Sequence, residues 1–198
     1  MTRNRRRMLT AARELLSRGI AELSMDAVAR QAKVTRQTVY NQFGSSTALL
    51  ETLFGEIASK GGMEGIAAAF RQRDPAATLT EYIKVFAKFW SSDRELTRRI
   101  HNLAAVHPDL ENVLAARQQR RMGGTRKIVS MLSARYGIPA SENIEDATRV
   151  LYSLTSFEFF DSMAGTNRTP EQIAPLVIRL ASAFLGISLG GKSDPTPR

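Results

Sequence analysis

The chain contains no cysteine and only two histidines, His101 and His107, in 198 residues. The first absence excludes disulfides and thiolate metal sites, and the second leaves too few imidazoles for a zinc centre or a catalytic triad. No apolar run reaches the roughly 18 to 20 residues that span a bilayer, and no apolar core follows the basic amino-terminal residues as it would in a signal peptide. There is no Gly-rich phosphate loop, metal-ligand spacing or nucleophile motif. The expectation is a cytoplasmic protein away from the membrane, with no cofactor, no metal and no catalytic residue. The competing reading from another class is a helical enzyme working through His101, Glu158 and Asp161.

Acidic residues are also few, 19 against 28 Lys and Arg, which leaves a formal charge of +9. That surplus favours a polyanionic partner, because each neutralised phosphate releases counterions. Arg3, Arg5, Arg6 and Arg7 precede the first apolar helix, and a second group, Arg117, Arg120, Arg121, Arg126 and Lys127, sits mid-chain. Either group also fits a solvated helix face. With 43% hydrophobic residues the chain has enough apolar surface for a real core.

The apolar spacing is helical almost throughout. Met8, Leu9, Ala12, Leu15 and Leu16 mark a first helix, with Gly19 at its end. Ser24 caps a short second helix to Ala32, with Met25, Val28 and Ala29 inward. Thr35 caps a third that ends near Phe43, and Ser45 caps a fourth bearing Leu49, Leu50, Leu53, Phe54 and Ile57. Gly61, Gly62 and Gly65 read as a hinge or a frayed end. Longer helices are expected over about 77–91, 94–105, 109–136, 142–164 and 170–187, separated by Pro75, Pro108, Pro139 and the 165–169 stretch. The closing residues 190–198, "GGKSDPTPR", read as a disordered tail.

Two short helices joined by a tight turn, the second polar, have the dimensions of a helix-turn-helix, whose second helix enters the major groove of DNA. Val39 and Phe43, four apart, supply the narrow stripe that holds it, leaving Arg36, Gln37, Tyr40 and Asn41 to face outward. Arginine pairs in bidentate fashion with guanine O6 and N7, glutamine and asparagine with adenine N6 and N7, and hydroxyls suit phosphates. An ordinary solvated surface helix would carry the same residue types.

The stretch "LSMDAVARQAKVTRQTVYNQFGSSTALLETLF", residues 23–54, resembles the DNA-binding region of the TetR/AcrR family of transcriptional regulators. The match rests on Gly19, Val28, Ala29, Val34, Thr35, Thr38, Val39, Tyr40, Phe43, Leu49 and Leu50. The sequence departs from the family at Lys33, where the turn usually has glycine, at Gln42, often histidine or tyrosine, and at Ser46, usually a phosphate-binding lysine. The resemblance implies an all-α homodimer. A three-helix DNA-binding domain over residues 1–55 would precede a larger effector-binding and dimerisation domain over 56–189. The partners implied are a palindromic double-stranded operator and an unknown small-molecule effector. The residues expected at the DNA are Ser24, Met25, Lys33, Thr35, Arg36, Gln37, Thr38, Tyr40, Asn41, Gln42 and Ser46, together with an arginine arm of Arg3, Arg5, Arg6 and Arg7. The activity it implies is repression relieved by an effector; activation, or regulation without a ligand, is the alternative.

In the carboxy-terminal part, aromatics at helical spacing form core more often than pocket. Given the implied cavity, the candidates to line it are Phe86, Phe89, Trp90, His101, Met122 and Phe157. The last two helices are too apolar for solvent on all sides, and Leu154, Phe160, Ile173, Leu176, Val177, Leu180 and Phe184 are the expected dimer contacts.

Overall fold

The computed structural model describes residues 3–18, 24–137 and 143–187. The fold is all-α, with no strand among the described residues. The helices among the described residues are α1 (Arg3–Ser17), α2 (Met25–Ala32), α3 (Arg36–Phe43), α4 (Ser46–Lys60), α5 (Gly65–Ala69), α6 (Pro75–Ser92), α7 (Arg94–Ala104), α8 (Pro108–Tyr136), α9 (Ile144–Leu154), α10 (Phe157–Ala164) and α11 (Pro170–Phe184). The expected end at Gly19, the break at Pro139 and the tail at 190–198 lie outside the described residues.

The chain divides into two compact units, residues 1–63 with 92–120, and residues 64–91 with 121–198. This differs from a boundary at residue 55. In the first unit α7 packs on α1, tied by an ion pair of Arg13 with Asp93 and by Arg99 donating to the Ser17 carbonyl, so a segment far along the chain belongs with the amino-terminal helices. The core there is Met8, Leu9, Ala12 and Leu16 of α1 with Val28, Ala29 and Ala32 of α2 and Leu49, Leu50 and Leu53 of α4, all buried. The first turns of α8 join this unit: Thr47 donates to Asp109 at 3.2 Å, and Arg117 donates to the Glu51 carbonyl at 3.2 Å while its guanidinium stands over Phe54.

In the second unit α6 is the central apolar helix, with Leu79, Tyr82, Ile83, Phe86, Ala87 and Trp90 buried. Ile128, Val129 and Leu132 of α8 are buried too, as are Leu151, Phe160, Ile173 and Val177 of α9 to α11. Gly124 lies within α8 because Tyr82 comes close. A Cβ there would meet the tyrosine hydroxyl at 3.1 Å. α11 starts with a full capping box, Thr169 with Gln172, and Pro170 in the first turn.

Two segments depart from the sequence reading. The glycine-rich stretch after α4 holds the one-and-a-half-turn α5. The single helix expected over 142–164 is two, because Ser156 caps α10 by accepting from the Phe159 amide at 3.1 Å. The backbone carbonyls freed at the joint have partners: Trp90 Nε1 donates to the Thr155 carbonyl at 3.1 Å and Arg121 Nη1 to that of Tyr152 at 2.5 Å.

Candidate nucleic-acid interface

α2 and α3 are each eight residues long and each begins with a side-chain cap. Ser24 accepts from the Ala27 amide and Thr35 from the Thr38 amide, both at 3.1 Å. Between them, Lys33 takes the left-handed conformation, φ 53° and ψ 51°. Its amide reaches the Arg30 carbonyl at 3.2 Å and the Val34 amide reaches the Ala29 carbonyl at 3.0 Å, the paired bonds of a Schellman turn. Arg7 donates to the Ala32 carbonyl at 2.6 Å. Lysine in place of glycine therefore leaves the turn closed by both of its backbone bonds.

α3 buries one residue, Val39, completely; Phe43 is half-buried beneath the Arg5 guanidinium. Everything else on the helix is at least partly exposed. The outward side chains are paired with each other. Gln37 donates to Asn41 at 2.7 Å, Arg36 ion-pairs with Asp26 at 3.2 Å and donates to the Tyr40 hydroxyl at 3.3 Å. Those contacts hold the Arg36 guanidinium more firmly in its charged form than usual, chiefly through Tyr40 and then Asp26. Being exposed, they are worth little energetically, so a stronger acceptor displaces them readily. The first turn of α3 has no acidic residue, which keeps its helix N-terminus suited to an anion.

Two expectations need correction. Met25 is buried against the three-helix core, so its side chain holds α2 in place and is unavailable to DNA. Arg3, Arg5, Arg6 and Arg7 are the first turns of α1, not an arm ahead of it. Their spacing divides the roles: Arg7 caps α2, Arg5 covers Phe43, and Arg3 and Arg6 are exposed. Arg3 and Asn4 form one wall of a shallow groove whose other side is Thr38, Asn41 and Gln42, with Met8 at its base. Ser46 is half-exposed as the first residue of α4. The sequence reading missed Asp26 and Asn4, which stand beside the expected contacts only through tertiary packing; the acidic first-turn position of Asp26 was the one local signal for it.

The effector candidates are not gathered into one lining. Phe86, Trp90 and Phe157 are buried against one another, with ring centroids 5.9 and 5.6 Å apart, because the joint between α9 and α10 folds Phe157 onto α6. Phe89 and Met122 are half-buried, and His101 belongs to the first unit. The dimer candidates divide likewise. Phe160, Ile173 and Val177 face the core of their own unit and have nothing left to offer a partner. Leu154, Leu176 and Phe184 are half-exposed and Leu180 is 40% exposed. On α11 the large apolar residues left at least partly exposed, Leu176, Leu180 and Phe184, follow a four-residue step, about one turn of helix apart. Among the described residues there is no cluster of metal-binding side chains and no helix long and apolar enough to cross a membrane.

A polar eight-residue helix held by one buried valine after a tight turn has the form of a helix-turn-helix. The family model for bacterial regulatory proteins of the tetR family matches residues 8–53. No curated protein matches the chain. Among solved structures, a TetR-like transcriptional regulator from Rhodococcus sp. RHA1 is 22% identical, with a TM-score of 0.66 over 94% of this chain and 98% of that one. FadR from Bacillus subtilis, solved with stearoyl-CoA, is 14% identical with a TM-score of 0.68 over 90% and 98%. NalD from Pseudomonas aeruginosa, the secondary repressor of the MexAB-OprM multidrug efflux pump, is 19% identical with a TM-score of 0.67 over 92% and 96%. The family match thus lies in the amino-terminal head, residues 8–53, and these solved structures share the fold of nearly the whole chain.

Proposed function

We propose that the chain acts as a homodimeric repressor that binds a palindromic operator through α3 and leaves it when a small-molecule effector binds the second unit. The observation that carries this reading is the surface of α3, where one residue is buried and a row of base-reading side chains is presented outward. Arg36, Gln37 and Asn41 have the chemistry to read base edges. Thr35, Thr38, Tyr40, Lys33, Ser24 and Ser46 have that of phosphate contacts, and Gln42 faces the groove that Arg3 and Asn4 border. The exposed Leu176, Leu180 and Phe184 support dimerisation through α11, since a face of that kind is stable once covered. NalD is described as a repressor and FadR was solved with an acyl-CoA, which supports repression and a response to a small molecule.

The test is selection of bound fragments from sheared genomic DNA, followed by footprinting of the enriched site. Two protected half-sites, related by a dyad and separated by about 34 to 36 Å or a multiple of it, are expected. A single asymmetric footprint would refute the dimeric reading. Binding that does not distinguish the enriched site from random DNA would refute sequence-specific regulation.

A further inference from the structure

The mid-chain basic group reads from sequence as a solvated helix face, and Arg120, Arg126 and Lys127 are indeed exposed. Arg121 is not. Its guanidinium carbon stands 3.6 Å from the Tyr152 ring centroid and 6.0 Å from that of Phe86. Nη1 is fully engaged, donating to the Tyr152 carbonyl at 2.5 Å and the Thr155 hydroxyl at 3.1 Å. The backbone below is fixed as well, because the Arg121 carbonyl accepts from the Tyr82 hydroxyl at 3.1 Å. Among the described residues, no hydrogen bond of ordinary geometry is made by Nε or Nη2, no carboxylate forms an ion pair with this guanidinium, and neither nitrogen is sealed from solvent; the Tyr152 hydroxyl is the one side-chain group besides Thr155 that helps hold it.

A cation held among aromatic rings without a counter-ion is an uncommon arrangement, because removing it from water costs more than ring contacts return. Burial pulls the Arg121 pKa below its ordinary value, and Glu158 is the weakest of the opposing influences. The Nε and Nη2 edge is the planar pair of donors that matches the two oxygens of a carboxylate. Since Nη1 is anchored, that edge is already oriented, and little side-chain entropy remains to be lost when an anion docks. One guanidinium neutralises one charge. A monocarboxylate leaves the site neutral, whereas a phosphate dianion would leave net charge beside apolar rings.

We propose that the Nε and Nη2 edge of Arg121 is the anchor of an effector site for a monocarboxylate with an aromatic or aliphatic body, which lies against the half-buried Tyr152. The proposal deepens the effector-responsive reading above and depends on it for its regulatory meaning only. Binding through Arg121 is measured separately from any effect on DNA.

The chain has a single tryptophan, Trp90, which lies against Phe86 and donates to the joint that Arg121 clips, so its fluorescence reports on this site. The full-length protein is titrated with octanoate and 1-naphthoate, and with octanamide and 1-naphthamide as neutral matches. A saturable change with at least one acid is expected, with the matching amide weaker by roughly ten- to a hundredfold, the range of a charge-assisted hydrogen bond. R121Q should abolish the discrimination, and R121K, which keeps the charge but not the fork, should retain about a tenth of the affinity. Circular dichroism accompanies both variants. If R121Q does not fold, the acid-against-amide comparison in the wild type and R121K still decides the matter. Equal binding of acids and amides, undiminished acid binding by R121Q, or no saturable response to either acid at millimolar concentration would each overturn the site. An acid that binds through Arg121 and leaves operator affinity unchanged would uphold the site and refute its role in release from DNA.

Discussion

Val39→Ala isolates the packing of the recognition helix from its chemistry. Val39 is the one buried residue of α3, so the substitution removes two methyl groups from a fully enclosed position without touching an outward side chain. At about 0.8 kcal/mol per buried methylene, with a further contribution from the space left behind, the loss is roughly 1.5 to 2 kcal/mol. An eight-residue helix has almost no stability of its own, so the loss falls on the docking of α3. The open population of α3 should rise about ten- to thirtyfold, since each 1.4 kcal/mol is a factor of ten. Native-state hydrogen exchange reads this directly at the amides of Tyr40 to Phe43. The amides of Val129 and Leu132 belong to the other unit and serve as internal controls. Because the closed form still predominates, base preference should be unchanged and affinity should fall only slightly, on operator and random DNA alike. The reasoning is refuted if exchange in α3 is unaltered, if it rises equally at Val129 and Leu132, or if base preference shifts.

Three other perturbations address the remaining assignments. Arg36→Ala should relax preference at particular base pairs, at a cost on the order of 1 to 3 kcal/mol there; equal losses on operator and random DNA would remove Arg36 from the base readers. Replacing Arg3 and Arg6 together with alanine leaves the Arg7 cap in place and should make the slope of log affinity against log salt shallower by up to about 0.9 for each phosphate that is no longer neutralised. An unchanged slope would leave both as solvated groups. Leu180→Glu should convert the protein to a folded monomer at micromolar concentration, because the residue is 40% exposed and the unit's own core does not need it. A dimer that persists in size-exclusion chromatography would place the interface elsewhere.

The parts of the fold legible in the sequence are those governed by neighbours in the chain. Ser24, Thr35 and Ser45 cap the helices that their spacing predicts, and Pro170 opens α11 where a first-turn proline belongs. The α9–α10 joint was not legible, because Val150, Leu151, Leu154, Phe157 and Phe160 keep a helical period straight through it. What stabilises the break comes from Trp90 and Arg121, 65 and 31 residues away. The same distance dependence explains the basic groups. A run of arginines looks alike whether it is solvated or committed, and only the partners, Ala32 for Arg7 and Tyr152 for Arg121, separate the two cases. For the helix-turn-helix, Val39 was recognisable from its spacing, whereas the grip of Asp26 on Arg36 required the packed pair of helices.

The left-handed backbone of Lys33 bears on how this turn tolerates substitution over generations. Holding a side chain in that conformation costs about 1 kcal/mol in the native state, which glycine would avoid. Glycine, however, enlarges the conformational freedom of the unfolded chain by a comparable amount, about 0.4 to 1 kcal/mol. The two nearly cancel, so Lys33→Gly is close to neutral for folding. Selection for stability is then almost blind at this position, and a positive charge can be kept or lost there by drift or by whatever advantage a cation confers on the exposed turn.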